Sequence, residues 1–592
     1  MKSIVTLFLS IFCLVASAQV DPGLAKTYFE KGAFEKAASL YKKLLSNQRT
    51  NSYYSLKLIE CYQQLSQFKA AQNEIEAQLK YSNNPQYFVE LGYNYQLQDQ
   101  LAKAEENYKN ALERIDAQPN YVYAIAQQFE SHGRIDNAIQ AYELGLELAP
   151  NPAFYYQLAV LHGVQKNIEK MMEHFLDYVE TNSAHTNQVM RLLAEYISED
   201  ASQPYNQIFK KVLLKKLQST PNTLWNQWLS WLYIQQNDFK KAFVQEKAVF
   251  RREPESLQGL INLAMLTKDA KAYETALTVL EFISQNTTDS RLNIQANTQR
   301  LELQLEHSKP NYNTIKASYV KLLDTYKLGV ETLEMQLSYA TFLAFYDANS
   351  EAAITFLKTA LKANLTDLAS SSLKMKLADI LVTQNKFNQA LIYYTQIQLQ
   401  VKNSTLAQEA RFKAAKTSYY KGDFDWAETQ LKVLKSSTSQ LTANDALDLQ
   451  LLISDHIASD SLHTALKMYA KAELLSLQKK STEAIGVLET ILENHKTDPI
   501  IDQTLFVQAR LYESEKMYSK AEANYMRIIT DYKDDILVDD AYFYLAELYR
   551  LQLNQIEKAT LNYETIIFNH EDSIHFVDAR KQYRILRGDT IN

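Results

Sequence analysis

Glycine and proline are scarce in this chain. It has 592 residues, of which 11 are glycine and 10 proline, less than a third of the average combined usage of about 12%. The two closest glycines, Gly23 and Gly32, are nine positions apart. This spacing excludes the Gly-rich loops that bring backbone N–H groups up to phosphate, in both their dinucleotide and their P-loop forms. It also excludes the nucleophile elbow of α/β-hydrolases. A β-sandwich needs a turn every eight to twelve residues, and the turn formers for that are missing. Cysteine is nearly absent, with only Cys13 and Cys61. There is no strong excess of charge of one sign: 62 basic and 69 acidic residues leave a net charge of −7. Basic residues gather in short clusters such as Lys210-Lys211 and Lys215-Lys216, too short to track a phosphate backbone, so a nucleic-acid partner is not expected. No later segment is apolar over the roughly 20 residues that a membrane-spanning helix needs. What remains is an all-α chain of long helices joined by short polar turns. Hydrophobic residues at 46% and charged residues at 22% suit a folded protein, and 39 tyrosines call for an explanation.

The first eighteen residues read as an address. Met1 and Lys2 open a short positive region, an apolar run covers Ile4 to Val15, and Ala16-Ser17-Ala18 has the spacing of a cleavage site. This pattern predicts a secretory signal peptide over 1–18 and an exported chain, periplasmic or associated with an outer membrane. Phe12 before Cys13 does not suit lipoprotein processing. With Cys13 removed only Cys61 is left, a small core residue by its simplest reading.

A repeat of about 34 residues follows. Ala37, Ala71, Ala104 and Ala138 are 34, 33 and 34 apart, and Met171 follows after 33 more. Four residues beyond each stand Tyr41, Ile75, Tyr108, Tyr142 and Phe175, and three before each stand Phe34, Phe68, Leu101, Ile135 and Ile168. Upstream come apolar–small pairs with an aromatic three or four positions on: Leu24-Ala25 with Tyr28, Leu91-Gly92 with Tyr95, Ile125-Ala126 with Phe129. This arrangement resembles the tetratricopeptide repeat (TPR), a helix–turn–helix unit. The phase returns at Phe239/Ala242, Tyr273/Ala276, Phe387/Ala390, Phe424/Ala427, Tyr518/Ala521 and Ile556/Ala559. The resemblance implies a TPR-like αα superhelical solenoid of about 13–16 units. The expected organisation is a regular array over 19–180, a degenerate connector over 181–222 and irregular TPR-like units over 223–330. A central array over 331–440 and a C-terminal array over 441–592 complete it. Pro204 and Pro310 fall in the two degenerate stretches, about 180–222 and 285–330. The run from Asp531 through Asp540 resembles repeats of outer-membrane assembly lipoproteins and cell-division coordinators. The tail, the Ser-Ala-Gln signal end and the composition resemble exported repeat proteins of Bacteroidota.

No catalytic or metal constellation emerges, and neither an enzyme nor a cofactor is expected. His456 and His463 are seven apart with a Ser-Asp-Ser stretch between them, and His570 and His575 flank Glu571 and Asp572. A metal site is the sharper reading of each pair, a solvated loop the favoured one. Asp531, Asp534, Asp535, Asp539 and Asp540 lack the glycine and terminal glutamate of an EF-hand. They read better as acidic residues favouring a helix N-terminus.

What remains is a surface. In the family, first helices line a concave groove that takes protein or peptide partners. The register places Tyr53, Leu56, Glu60, Val89, Tyr93, Tyr123, Gln127, Tyr156 and Val160 there, with repeat core as the alternative for each. Trp225, Trp228 and Trp231 follow one another every three residues and so drift round one helix. One or two of them belong in the core, while Trp228 and above all Trp231 are groove candidates. The groove residues include no Lys or Arg, so the family's carboxylate clamp is not expected. The resemblance implies an exported scaffold in cell-envelope assembly or secretion, with peripheral association with an envelope complex. The alternative is a structural subunit using its convex face and termini.

Overall fold

The computed structural model describes residues 21–308, 310–434, 440–457 and 463–589. The predicted signal segment 1–18 lies outside the described residues. Among them are thirty-two α-helices, two short 3-10 turns and no strand. The fold class is therefore the expected one: all-α, built of helix hairpins in a TPR-like αα-solenoid.

The repeat alignment translates directly into helices. Second helices open at Phe34, Phe68, Leu101, Ile135, Ile168, Phe239, Tyr273, Phe387, Phe424, Tyr518 and Ile556, the large residue of each aligned segment. Two residues earlier the chain takes a left-handed conformation: Gly32, Ser66, Asp99, Gly133, Lys166, Asn237, Lys271, Asn385, Gly422, Lys516 and Asn554 all have positive φ. The residue after it donates its N–H back into the first helix, as from Ala33 to Tyr28 O at 2.9 Å and from Gln67 to Tyr62 O at 2.8 Å. This is a Schellman closure, which satisfies the last carbonyls of the helix. Glycine is the usual residue at this place, yet most of these turns use Asn, Asp, Lys or Ser. That substitution is one source of the glycine shortage.

At each helix crossing the aligned alanine is buried, from Ala37 through Ala559, and lets the two backbones approach. Four residues on, Tyr41, Tyr108, Tyr142, Tyr394, Tyr525 and Tyr563 are almost wholly buried. For all but Tyr41, whose hydroxyl is buried without a partner, the hydroxyl explains why tyrosine stands there rather than phenylalanine. Tyr108 donates to Gln96 Oε1 at 2.8 Å, Tyr142 to Glu130 Oε1 at 3.0 Å and Tyr394 to Asp379 Oδ1 at 2.7 Å. Tyr525 and Tyr563 reach Glu513 and Glu547 in the same way. The ring fills the groove between helices, and an acceptor on the preceding first helix satisfies the polar tip. Cys61 is buried and free, and burial pushes its thiol up to about 12, so it is an inert core residue.

The chain divides into two compact units, Met1–Leu263 and Ala264–Asn592. In the first, a 3-10 turn at Ser183–His185 and a short helix Thr186–Ala194 lead into a loop. Buried Asn206 fastens that loop by donating to Ser198 O at 2.8 Å and Asp200 O at 2.7 Å. Pro204 opens the helix Pro204–Ser219 at its first turn, a place that needs no N–H donor. In the second unit the helices Ser290–His307 and Tyr312–Tyr326 run to 18 and 15 residues.

Buried His162, stacked on half-buried His174, makes the stability of the first unit depend on pH. The rings of His162 and His174 stack 5.3 Å apart at an interplanar angle of 7°. Burial, with His174 adding to it, holds the His162 imidazole below its ordinary value. The unfolded chain accepts a proton that the folded unit resists, so this contribution is present above about pH 6.5 and fades as pH falls below it. Thermal unfolding of the first unit is expected to shift to lower temperature between pH 7 and pH 5. The shift should be smaller in His162→Leu; an equal shift in both proteins would assign the effect to other groups.

Candidate functional site

The first helices Ser52–Gln64, Gln86–Gln96 and Val122–Ser131 belong to successive hairpins. Together they form one concavity of about 720 Å³, whose lining includes Leu56, Gln86, Asn120, Tyr123, Gln127 and Glu130. Three sequence-predicted residues, Leu56, Tyr123 and Gln127, meet here. Tyr123 is 43% exposed and braces its ring edge-on against buried Tyr142 at 6.3 Å. Its position is therefore fixed while its face is free.

Other candidates lie elsewhere. Tyr53 is 48% exposed and leans on Tyr41 and Tyr54, 6.4 and 5.9 Å away. Glu60 pairs with Lys57 at 2.8 Å. Half-buried Tyr93 stacks on His132 at 3.8 Å. Tyr156 packs against Phe175 and Tyr178 at 5.9 and 5.5 Å, and Val160 is exposed.

Two candidates are corrected. Val89 is fully buried, because the helix Gln86–Gln96 is wrapped on nearly every side and buries seven of its eleven residues. Trp228 is also fully buried. It shares a core-facing stripe with Trp225 because three residues turn a helix by only about 60° short of a full circle. Trp225 donates Nε1–H to Thr220 O at 3.1 Å. Trp231, a further step round, is half-buried and meets Phe209 and Trp228 edge-on at 6.1 and 6.2 Å.

A polar network beside the groove carries no sequence signal. The buried Glu90 carboxylate lies 2.8 Å from His132 Nε2 and accepts from Gln63 Nε2 at 3.3 Å. It also accepts from Gln128, itself a lining residue of the concavity. The partners are 27 to 42 positions apart, outside the reach of any local motif. With Tyr93 stacked on His132, the network sets how Gln128 presents itself to the groove.

The second unit holds a larger concavity of about 1030 Å³. The acidic run reaches it through Asp534, Asp535, Asp539 and Asp540, joined by His456, His570 and Asp572. Asp539 and Asp540 also occupy the first turn of the helix Val538–Leu551, as the dipole reading expected. His456 ends the helix Gln440–His456, and His463 stands left-handed before Thr464–Leu477, so they share no helix face. Among the described residues no group of three or more His, Cys, Asp or Glu is placed to hold a metal ion, and no helix is long and apolar enough to cross a membrane.

The class that these features define is a TPR-like array of helix hairpins. Residues 120–152, which hold the Tyr123 and Gln127 helix, match the tetratricopeptide repeat family. A TPR repeat-containing protein of Methanocaldococcus jannaschii is 21% identical over 282 residues, covering 43% of this chain and 49% of its own. The chain thus spans about half the length of that curated relative. A crystal structure of a tetratricopeptide repeat protein from Parabacteroides merdae aligns with 46% of this chain and 92% of its own, at 14% identity and a TM-score of 0.27.

Proposed function

We propose that the protein is an exported scaffold that holds partner polypeptides along its first-helix groove, in cell-envelope assembly or secretion. The observation that carries this reading is the convergence of Leu56, Tyr123 and Gln127 on one concavity. A rigid tyrosine ring beside amide donors and acceptors suits recognition of a peptide segment. Export rests on the pattern from Met1 to Ala18. The repeat match at 120–152 supports a role in protein–protein contact.

Tyr123→Ala combined with Gln127→Ala is expected to leave the circular dichroism spectrum unchanged and weaken partner binding about tenfold or more. Unchanged affinity would remove the groove from the account. The exposed side chains of Leu561, Phe568 and Val577 on the last two helices favour a second reading, a structural subunit that assembles through its end. Removal of residues 21–181 separates the two: binding is lost if the groove holds the partner and kept if the tail does.

A further inference from the structure

The concavity of the second unit is lined from segments that lie more than 150 positions apart, from Phe412 to Ile574. Nine carboxylates and two lysines face it. Among the described residues Asp445, Asp448, Asp534, Asp535 and Asp572 form no ion pair. Glu473 also lines it, with Oε2 shut off from solvent and without a hydrogen-bond partner. Burial holds the Glu473, Asp448 and Asp540 carboxyls above the ordinary carboxylate range. Asp540 is paired with His575 at 2.9 Å, while the exposed carboxylates of Asp445, Asp534, Asp535 and Asp572 stand open to a cationic partner.

The same wall presents aliphatic side chains to water. Ile536 is 78% and Ile574 84% exposed, and both line the concavity, as does exposed Leu451. Large aliphatics in this setting mark contact with another molecule rather than solvation. Charge and hydrophobicity together select the occupant. A divalent cation would use the carboxylates but not the isoleucines, and no metal-holding group is formed among the described residues. A nucleic acid or an anionic lipid surface is repelled.

We propose that this concave face binds a cationic segment of a partner polypeptide, its lysines or arginines meeting the carboxylates and its aliphatic side chains meeting Ile536 and Ile574. Charge complementarity speeds encounter and sets orientation, while the aliphatic contacts hold the segment. The surface is separate from the groove of the first unit, and neither proposal depends on the other.

The test uses the whole chain and a labelled 16-residue amphipathic Lys/Leu peptide, followed by fluorescence anisotropy. A Glu/Leu peptide and a Lys/Ser peptide of equal length serve for comparison. The Lys/Leu peptide is expected to bind, about tenfold less tightly when NaCl rises from 50 to 300 mM. Asp445, Asp534 and Asp535 are exposed, so their joint replacement by Asn leaves the fold intact and should weaken binding about tenfold. Ile536→Ser with Ile574→Ser should weaken the Lys/Leu peptide by about tenfold and leave the Lys/Ser peptide as it was. Leu148→Ala, at an exposed position on a second helix of the first unit, should change nothing. Three results would overturn the proposal: equal binding of the Lys/Ser and Lys/Leu peptides, indifference to both sets of substitutions, or calcium binding with no peptide binding.

Discussion

Trp228→Ala is expected to lower the stability of the first unit by about 3–5 kcal/mol, the cost of emptying a fully buried tryptophan site. Trp228 has no exposed surface and meets Phe209 and Trp231 edge-on at 5.9 and 6.2 Å. Phe209 belongs to Pro204–Ser219, the helix that follows the irregular loop, so the ring joins that helix to Thr223–Gln235. In a repeat array each hairpin leans mainly on its neighbours. Hydrogen-exchange protection should therefore fall most over 204–252 and little over 34–115. Trp231→Ala, at a half-buried ring, should cost less. Denaturant unfolding with exchange by mass spectrometry reads both quantities, and equal losses at the two tryptophans would contradict the assignment.

Gly92→Val should be comparably damaging for the opposite reason. A Cβ at Gly92 would lie 2.4 Å from Tyr108 Cε1, 2.5 Å from its Cδ1 and 3.0 Å from the Ala104 carbonyl oxygen. Tyr108 cannot move aside cheaply, because it is buried and its hydroxyl is held by Gln96. Overpacking of this kind costs about 1–3 kcal/mol and can exceed it where a backbone atom blocks relief. Gly486 is the control. It lies inside the helix Ser481–Asn494 with nothing within 4 Å of an added Cβ, so Gly486→Ala should stabilise by about 0.5–1 kcal/mol. Thermal melts of the two variants should move in opposite directions.

These two sites show what a linear sequence exposes and what it hides. The small residue of Leu91-Gly92 was legible as a close crossing because the repeat places alanine or glycine there in unit after unit. The starts of the second helices were legible for the same reason, since local spacing dictates them. Side chains on first helices were less so. Val89 and Trp228 sit in register with groove positions, but neighbouring hairpins close over them, and that depends on how successive hairpins pack. The Glu90–His132 contact and the gathering of Asp445, Asp534 and Asp572 on one wall were invisible, because each joins residues from different repeats. The turns carried a weaker trace: a left-handed residue precedes each aligned second helix, but only Gly32, Gly133 and Gly422 announce it by identity.

The central claim is that the first-helix groove holds a polypeptide. Photocrosslinking tests it most directly, with benzoylphenylalanine placed at Tyr123, at Gln127 and, for comparison, at exposed Leu148 on a second helix, in cells of the native host. A crosslinked polypeptide is expected from positions 123 and 127 and none from 148. Crosslinks from 148 alone, with 123 and 127 silent, would contradict the claim.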